Sequence, residues 1–178
     1  MSQHKIIFSG PVGAGKTTAI TSLSDTPPVS TEQLASDETR LVKATTTVAM
    51  DYGVIRLGGE ERIHLYGTPG QERFDFMWEI LSQGAIGLVL LISNARPDPY
   101  ADLHLFMNAY RPFAEQNRLV VGVTQMDLET KPSLNDYRRR LLADGLHTPV
   151  FEVDARRRQD ISVLVQVLLL GQDPGMEN

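Results

Sequence analysis

The residues best suited to chemistry form a glycine-rich stretch near the start of the chain. Gly10-Pro11-Val12-Gly13-Ala14-Gly15-Lys16-Thr17 matches the pattern G-x-x-x-x-G-K-[ST]. Glycines let consecutive backbone N–H groups turn towards phosphate oxygens, and a helix that begins there adds the positive end of its dipole. Lys16 supplies a point charge, and Thr17 offers a hydroxyl to Mg²⁺, a hard cation that takes oxygen ligands. The stretch predicts a site for the phosphates of a nucleotide.

The contacts with the phosphates are assigned to the whole loop and the first residues of the helix that follows it. We expect them to involve Gly10, Val12, Gly13, Ala14, Gly15, Lys16, Thr17 and Thr18.

A second group of polar residues suits recognition of a base. Thr124-Gln125-Met126-Asp127 ends an apolar run, and Asp154-Ala155-Arg156 ends another. The carboxylate of Asp127 accepts two hydrogen bonds from the N1–H and N2–H₂ edge of guanine, and adenine has no such pair of donors. A buried acceptor that is left unpaired keeps its desolvation penalty, so this arrangement favours guanine over adenine.

Short apolar runs separated by helical patterns must position these residues. Buried parallel strands are predicted at Lys5–Ser9, Gly87–Ser93, Leu119–Thr124 and Val150–Val153. Met50–Leu57 and Arg62–Tyr66 flank Gly58-Gly59-Glu60-Glu61 and predict an antiparallel hairpin. Helices are predicted to begin at Lys16 and near Arg73, Ala101, Ser133 and Asp160. The alternation predicts an α/β fold, with a long surface loop between residues 24 and 46.

Length and composition fit one compact domain. The chain has 178 residues and a net charge of −5, without a long basic run that would attract nucleic acid. Cysteine is absent, which excludes disulfides, thiolate metal sites and prenyl anchors, and no apolar run is long enough for a signal peptide or a membrane span. We therefore expect a cytoplasmic monomer with no direct membrane anchor.

Taken together, the motifs resemble those of Ras-like small GTPases. Gly67-Thr68-Pro69-Gly70-Gln71-Glu72 resembles their switch II, Thr45-Thr46-Thr47 ahead of Asp51-Tyr52 resembles switch I, and the segments at Asp127 and Ala155 resemble the guanine motifs. The form of the switch II segment is most similar to the prokaryotic group that includes the gliding-motility polarity GTPases. The resemblance covers nearly the whole chain.

The resemblance implies a fold and a set of roles. The fold is a three-layer P-loop NTPase domain over residues 1–171, with a mostly parallel six-stranded sheet, one antiparallel edge strand and helices on both faces. A short flexible tail follows at 172–178. The base and the γ-phosphate would be bound by Gly70, Thr124, Gln125, Asp127, Ala155 and Arg156, while Gln71, Lys16 and Thr47 would take part in hydrolysis.

The resemblance also implies the ligands and partners. GTP and GDP would bind with Mg²⁺, protein effectors would bind the switch segments, and a GTPase-activating protein would speed a slow intrinsic hydrolysis. Thr17 and Thr47 would hold the metal.

Three residues depart from the family pattern. Gly67 stands where most members carry an aspartate that holds magnesium through water, and we expect Asp51, across the hairpin, to replace it. Gln125 replaces a lysine that covers the base, and Val12 places a branched side chain near the γ-phosphate. Slow turnover and a weaker affinity are expected.

Two alternatives stay open at this point. A small ATP-using P-loop enzyme would share the phosphate loop, and a nucleotide-binding scaffold without hydrolysis would agree with the three departures. The aromatic and apolar residues after switch II suit either a core or an exposed effector surface: Phe74, Phe76, Met77, Trp78 and Ile80.

Overall fold

The computed structural model describes residues 3–30 and 50–171. Within these residues, seven strands form one sheet in the order β2-β3-β4-β1-β5-β6-β7. The strands are β1 (Gln3–Ser9), β2 (Val29–Ser30), β3 (Asp51–Gly58), β4 (Glu61–Gly67), β5 (Gly87–Ser93), β6 (Leu119–Thr124) and β7 (Val150–Glu152). All six predicted strands are present. The unpredicted strand, β2, has two residues, too few to carry a periodic pattern, and lies in the stretch predicted as a loop.

Strand direction follows the prediction of a mostly parallel sheet with one antiparallel strand near its edge. The strands β4, β1, β5, β6 and β7 are parallel to one another, and β3 is antiparallel to β4. The short β2 pairs with β3 in an antiparallel sense and so covers the outer edge of the hairpin.

Six α-helices lie between or after the strands in the described part of the chain. They are α1 (Lys16–Leu23), α2 (Asp75–Ser82), α3 (Pro99–Ala109), α4 (Arg111–Glu115), α5 (Leu134–Ala143) and α6 (Arg158–Leu170), and a 3₁₀ turn at Glu72–Phe74 precedes α2. Asp98 caps α3 by accepting a hydrogen bond from the Ala101 N–H at 3.0 Å, and Ser133 and Asp136 form a capping box at α5. The short α4 was not predicted.

The core has two layers because alternate residues of each strand face opposite sides of the sheet. On one side, Leu88 and Leu90 of β5 pack in a cluster with Trp78 of α2 and Phe106 of α3. On the other side, residues such as Val89 and Leu91 pack in a cluster with α1 and α6. Every residue of β5 and β6 is buried, as expected for central parallel strands.

The β3–β4 hairpin turns through two glycines in left-handed backbone conformations. Gly58 has φ +113° and Gly59 has φ +58°, values that residues with a side chain rarely adopt. The register set by this turn pairs Asp51, the first residue of β3, with Gly67, the last residue of β4. The start of β3 therefore lies at the edge where the parallel strands end.

This edge of the sheet gathers the polar segments found in the sequence. The loops after β1, β4, β5, β6 and β7 all leave from it, and ligands of open α/β sheets bind outside the carboxyl ends of the strands. None of the described helices combines the length and the apolar composition needed to cross a lipid bilayer.

Candidate functional site

The glycine-rich stretch forms a loop between β1 and α1, as predicted. Gly15 caps α1 with a left-handed φ of +99°, and Gly13 has φ +79°. Gly10 also needs the absence of a side chain, because a Cβ there would lie 2.1 Å from the Leu91 carbonyl oxygen. The glycines therefore serve the tight path of the loop over the central strands.

Lys16 is folded against its own loop. Its Nζ donates to the carbonyl oxygens of Gly10 and Pro11, both at 2.7 Å, and the residue is 9% exposed. Burial, opposed by the negative charge of Asp51 and assisted by the positive charge of Arg96, lowers the pKa of Lys16 to about 8. The ammonium group is thus held at the loop with little contact with water.

Asp51 lies where the sequence predicted a replacement for the missing aspartate. The Thr17 hydroxyl donates to Asp51 Oδ2 at 2.5 Å. A Cβ built on Gly67 would lie 3.0 Å from Ile20 Cδ1 and 3.2 Å from Asp51 Cβ, so the carboxylate of Asp51 occupies the space beside Gly67. Two oxygen atoms of the kind that Mg²⁺ prefers as ligands, one from Thr17 and one from Asp51, therefore lie side by side next to the loop.

The segment resembling switch II packs directly on the phosphate loop. A Cβ on Gly70 would lie 2.5 Å from the Val12 N and 2.8 Å from Lys16 Nζ, a spacing that only glycine allows. Gln71 is exposed and borders a cavity of about 200 Å³ together with Val12, Gly70 and Arg96. Thr47, the third residue predicted to act in hydrolysis, lies outside the described residues.

A buried chain of hydroxyl groups connects this segment with the sheet and α3. Thr68 Oγ1 donates to Ser9 Oγ at 2.8 Å, and Ser9 Oγ donates to the Tyr110 hydroxyl at 2.9 Å. Burial raises the pKa of Tyr110 to about 12. Nearby, the Trp78 indole N–H donates to the Pro69 carbonyl at 2.8 Å, which anchors α2 to the segment.

The aromatic and apolar residues after switch II divide between the two predicted roles. Trp78 is buried, at 3% exposure, whereas Phe76 and Ile80 are each 56% exposed. The helix α2 therefore presents one side to the core and an apolar side to the solvent.

A cleft of about 620 Å³ joins the phosphate loop to the predicted base-binding residues. Its lining includes Ala14, Gly15, Thr18, Thr124, Gln125, Asp127, Ala155 and Arg156, all of them predicted contacts. Thr124 Oγ1 donates to the Ala14 carbonyl at 2.9 Å and so ties the end of β6 to the loop. Residues from three separate segments of the chain thus line one cleft.

Two side chains at this cleft are tied to neighbours rather than pointing freely into it. Gln125, in a left-handed conformation with φ +60°, accepts a hydrogen bond from the Ser93 hydroxyl through Oε1. Arg156 donates to both carboxylate oxygens of Asp154, at 2.9 and 2.8 Å. The side-chain and backbone hydrogen bonds from Arg156 lower the pKa of Asp154 to about 2. Asp127, at the same cleft, is exposed, whereas the prediction of guanine selectivity from the sequence assumed a buried acceptor. A base that covered this carboxylate would bury it.

Sequence reasoning missed two charged residues beside the phosphate loop. Arg96, just after β5, donates through Nη1 to the Val12 carbonyl at 3.2 Å and pairs with Asp102 of α3. No local periodicity connects residues 12, 96 and 102, although Arg96 does follow a predicted strand at the edge where the site forms.

A phosphate loop between a central strand and a helix, opening into a cleft at the carboxyl edge of a parallel sheet, defines a P-loop nucleotide-binding protein. The chain belongs to the family described as "Conserved hypothetical ATP binding protein", whose model matches residues 26–166. That match begins after the phosphate loop.

Curated proteins with similar sequences belong to the Ras-related group. "Ras-related protein Rab-27A" of Rattus norvegicus is 28% identical over 145 residues, which are 71% of this chain and 64% of that protein. "Ras-related protein Rab-27B" of Homo sapiens is 24% identical over 180 residues, 93% of this chain and 77% of that protein. "Ras-related protein RABE1e" of Arabidopsis thaliana is 26% identical over 132 residues, 71% of this chain and 60% of that protein.

The similarity makes the chain a distant homologue of Ras-like small GTPases and supports nucleotide binding with a switch-like architecture. The chain spans less than two thirds of the length of the rat and Arabidopsis proteins.

Proposed function

We propose that the protein is a small GTP-binding switch that binds GTP and GDP with Mg²⁺ and hydrolyses GTP slowly. The observation that carries the proposal is the single cleft that has Ala14 and Gly15 of the phosphate loop, next to Lys16, at one end and Asp127 with Ala155 at the other. A nucleotide whose phosphates lie against the loop would direct its base towards Asp127.

Each part of the site would have a separate task in this proposal. The amides of residues 13–17 and the ammonium of Lys16 would bind the β- and γ-phosphates. Asp127 would accept from the guanine edge, while the Ala155 N–H would donate to the guanine O6. The hydroxyl of Thr17 and the carboxylate of Asp51, with Thr47, would hold a magnesium ion, which neutralises phosphate charge.

Hydrolysis would require an oriented water molecule. Gln71, at the edge of the small cavity beside Val12 and Gly70, is our candidate for that role. The water oxygen would bond to the γ-phosphorus as the bond from that phosphorus to the bridging oxygen of GDP breaks, which yields GDP, phosphate and a proton. Val12, 53% exposed at the loop, would crowd this space and keep the intrinsic rate low.

Switching would follow from the contact of Gly70 with the loop. Because this contact leaves no room for even a Cβ, a γ-phosphate at the loop would change the position of the switch II segment. Protein effectors would bind the switch segments, and an activating protein would accelerate hydrolysis. The kinship with gliding-motility polarity GTPases stays a prediction, since it rests only on the residues from Gly67 to Gln71.

The choice between guanine and adenine can be tested with one substitution. The family description names ATP, whereas the carboxylate of Asp127 in the cleft favours guanine. Asp127→Asn should weaken GTP binding and strengthen binding of xanthosine triphosphate, since the new amide N–H₂ matches the O2 that xanthine carries in place of the guanine amine. A variant that still binds GTP as the wild type does, or a wild type that prefers ATP, would remove the guanine assignment.

Hydrolysis needs its own test because a scaffold without turnover is the second candidate. The exposed Val12 at the loop is the observation that favours a scaffold. GTP-loaded protein should release phosphate in single-turnover assays over minutes to hours, and Gln71→Leu should slow the release at least tenfold with unchanged GDP affinity. No phosphate release from the wild type, even with a cell extract that supplies partners, would support the scaffold.

A further inference from the structure

Arg96 connects α3 to the outer side of the phosphate loop. Its guanidinium forms two hydrogen bonds with Asp102, from Nε to Oδ2 at 2.5 Å and from Nη2 to Oδ1 at 3.2 Å. The remaining nitrogen, Nη1, donates to the Val12 carbonyl at 3.2 Å. One side chain therefore joins the first turn of α3 to the middle of the loop.

The bond to Val12 fixes the direction of a whole peptide unit. A trans peptide is planar, and its C=O and N–H point in opposite directions. Because the Val12 carbonyl is held towards Arg96, the Gly13 N–H must point away from Arg96. Gly13 has φ +79°, and a Cβ there would meet nothing within 4 Å, so no packing around a side chain fixes this peptide.

Asp102 makes Arg96 a rigid support rather than a mobile surface charge. The side chain of Asp102 is 14% exposed and that of Arg96 is 37% exposed. A guanidinium in two bonds with one carboxylate has little freedom, so its third donor has a defined position. The same carboxylate raises the pKa of Arg96, which stays charged.

Another ion pair of the same chemistry offers a comparison. Arg111 and Glu115 of α4 form an i,i+4 pair at 2.8 Å, with side chains 46% and 56% exposed. Within the described residues, this pair forms no hydrogen bond with the phosphate loop. Removing Arg111 therefore changes the net charge by the same amount as removing Arg96, without touching the loop.

We propose that Arg96, held by Asp102, is a positioning residue that turns the Gly13 N–H of the phosphate loop towards the β-phosphate of the bound nucleotide. The proposal rests on the proposed function, because it assumes that polyphosphate binds at this loop. Arg96 itself touches the loop backbone and not the nucleotide.

The test measures affinity for GDP and for GMP, which lacks the β-phosphate, with the wild type, Arg96→Ala, Arg96→Lys, Asp102→Ala and the control Arg111→Ala. Arg96→Ala should weaken GDP binding about tenfold, which is the size expected when one well-oriented hydrogen bond to a charged group is lost. Arg96→Lys should recover part of the loss, and Arg111→Ala should match the wild type. The ratio of GDP affinity to GMP affinity should fall in Arg96→Ala.

Asp102→Ala separates positioning from simple charge attraction, because the two predict opposite signs. If Arg96 acted only by its charge, removing the nearby carboxylate would strengthen the binding of an anionic nucleotide. If Asp102 holds Arg96 in position, GDP binding should weaken several-fold. Tighter binding in Asp102→Ala, or wild-type GDP affinity in Arg96→Ala, would overturn the proposal.

A variant that does not fold, and a failure of the proposed function, can each be distinguished from a failure of the positioning proposal. Thermal unfolding of each variant shows whether the fold is kept. If Arg96→Ala does not fold, Arg96→Lys and Asp102→Asn decide: weaker GDP binding with an unchanged GMP affinity supports positioning, and equal losses for both nucleotides overturn it. A wild type that binds no guanine nucleotide would refute the proposed function instead, before any variant is compared.

Discussion

Lys16 is the residue of the phosphate loop whose acid–base chemistry the fold alters. In the free protein its burial lowers its pKa to about 8, so about half of the molecules lack the ammonium proton at pH 8. Phosphates stabilise the charged ammonium and raise its pKa, so binding at and above pH 8 must take up a proton.

The expected uptake is about half a proton per nucleotide at pH 8, less at pH 7, and affinity should fall as the pH rises above 8. Calorimetry in buffers of different ionisation enthalpy measures this uptake directly. The range from pH 7 to 8.5 is suitable because guanine keeps its own N1 proton there. Uptake of zero throughout this range would contradict the lowered pKa of Lys16.

The second prediction at the scale of residues concerns the metal role of Asp51, which lies beside Gly67. We expect Asp51→Ala to lower the apparent affinity for Mg²⁺ at least tenfold in the presence of GDP, a loss of about the size that follows when a residue supporting a metal site is removed. Titration of Mg²⁺ against the fluorescence of a labelled nucleotide measures it.

A double variant that exchanges the residues at positions 51 and 67 provides the matched control. Gly67→Asp alone should be poorly tolerated, because its Cβ would meet Ile20 at 3.0 Å and Asp51 at 3.2 Å. Asp51→Gly combined with Gly67→Asp leaves one carboxylate in the same space and should recover much of the Mg²⁺ dependence. An unchanged Mg²⁺ dependence in Asp51→Ala would refute the metal role of Asp51.

At the scale of elements, the fluorescence of Trp78 in the helix α2 can report movement of the segment that resembles switch II. Trp78 is the only Trp in the chain, and its indole N–H is bound to the Pro69 carbonyl in the segment that resembles switch II. Its ring lies 4.5 Å from that of Phe106. If the segment moves with the γ-phosphate, the surroundings of Trp78 change with it.

The emission of Trp78 should therefore differ between the GDP complex and a complex with a non-hydrolysable GTP analogue. The signal of the GTP complex should relax to that of the GDP complex as phosphate is released. Identical spectra for both complexes would mean that nucleotide state is not transmitted to α2.

The hydroxyl chain between β1, the switch II segment and α3 should contribute to stability. Tyr110→Phe removes the acceptor of the buried Ser9 hydroxyl, and we expect the free energy of unfolding to fall by about 1–2 kcal/mol. Tyr100→Phe is a suitable control at the other end of α3, since its hydroxyl forms no hydrogen bond with the residues that the structure describes. Denaturant unfolding of both variants measures the difference, and equal stabilities would show that the chain contributes nothing.

At the scale of the whole molecule, the sequence predicted the sheet well because the buried parallel strands are continuous apolar runs. The hairpin turn also allowed the position of Asp51 beside Gly67 to be predicted, since a two-strand register follows from its turn. The two-residue β2 and the five-residue α4 were missed, as elements this short leave no periodic signal.

The parts of the site that escaped prediction depend on contacts between distant segments. The bond from Arg96 to Val12 joins residues 84 positions apart, and the sequence does not distinguish Asp102 from other acidic residues as the partner of Arg96. The division of α2 into a buried Trp78 and an exposed Phe76 depends in the same way on where α3 lies. Motifs predict the ligand, while packing decides which side chains support the motifs.

The central claim is that one cleft binds the phosphates at Lys16 and a guanine base at Asp127. The direct measurement is equilibrium titration of nucleotide-free wild-type protein with GDP, GTP and ATP in the presence of Mg²⁺. Our account predicts micromolar or tighter dissociation constants for GDP and GTP, and binding of ATP at least a hundredfold weaker. Equal affinity for ATP and GTP, or no binding of any of the three, would contradict it.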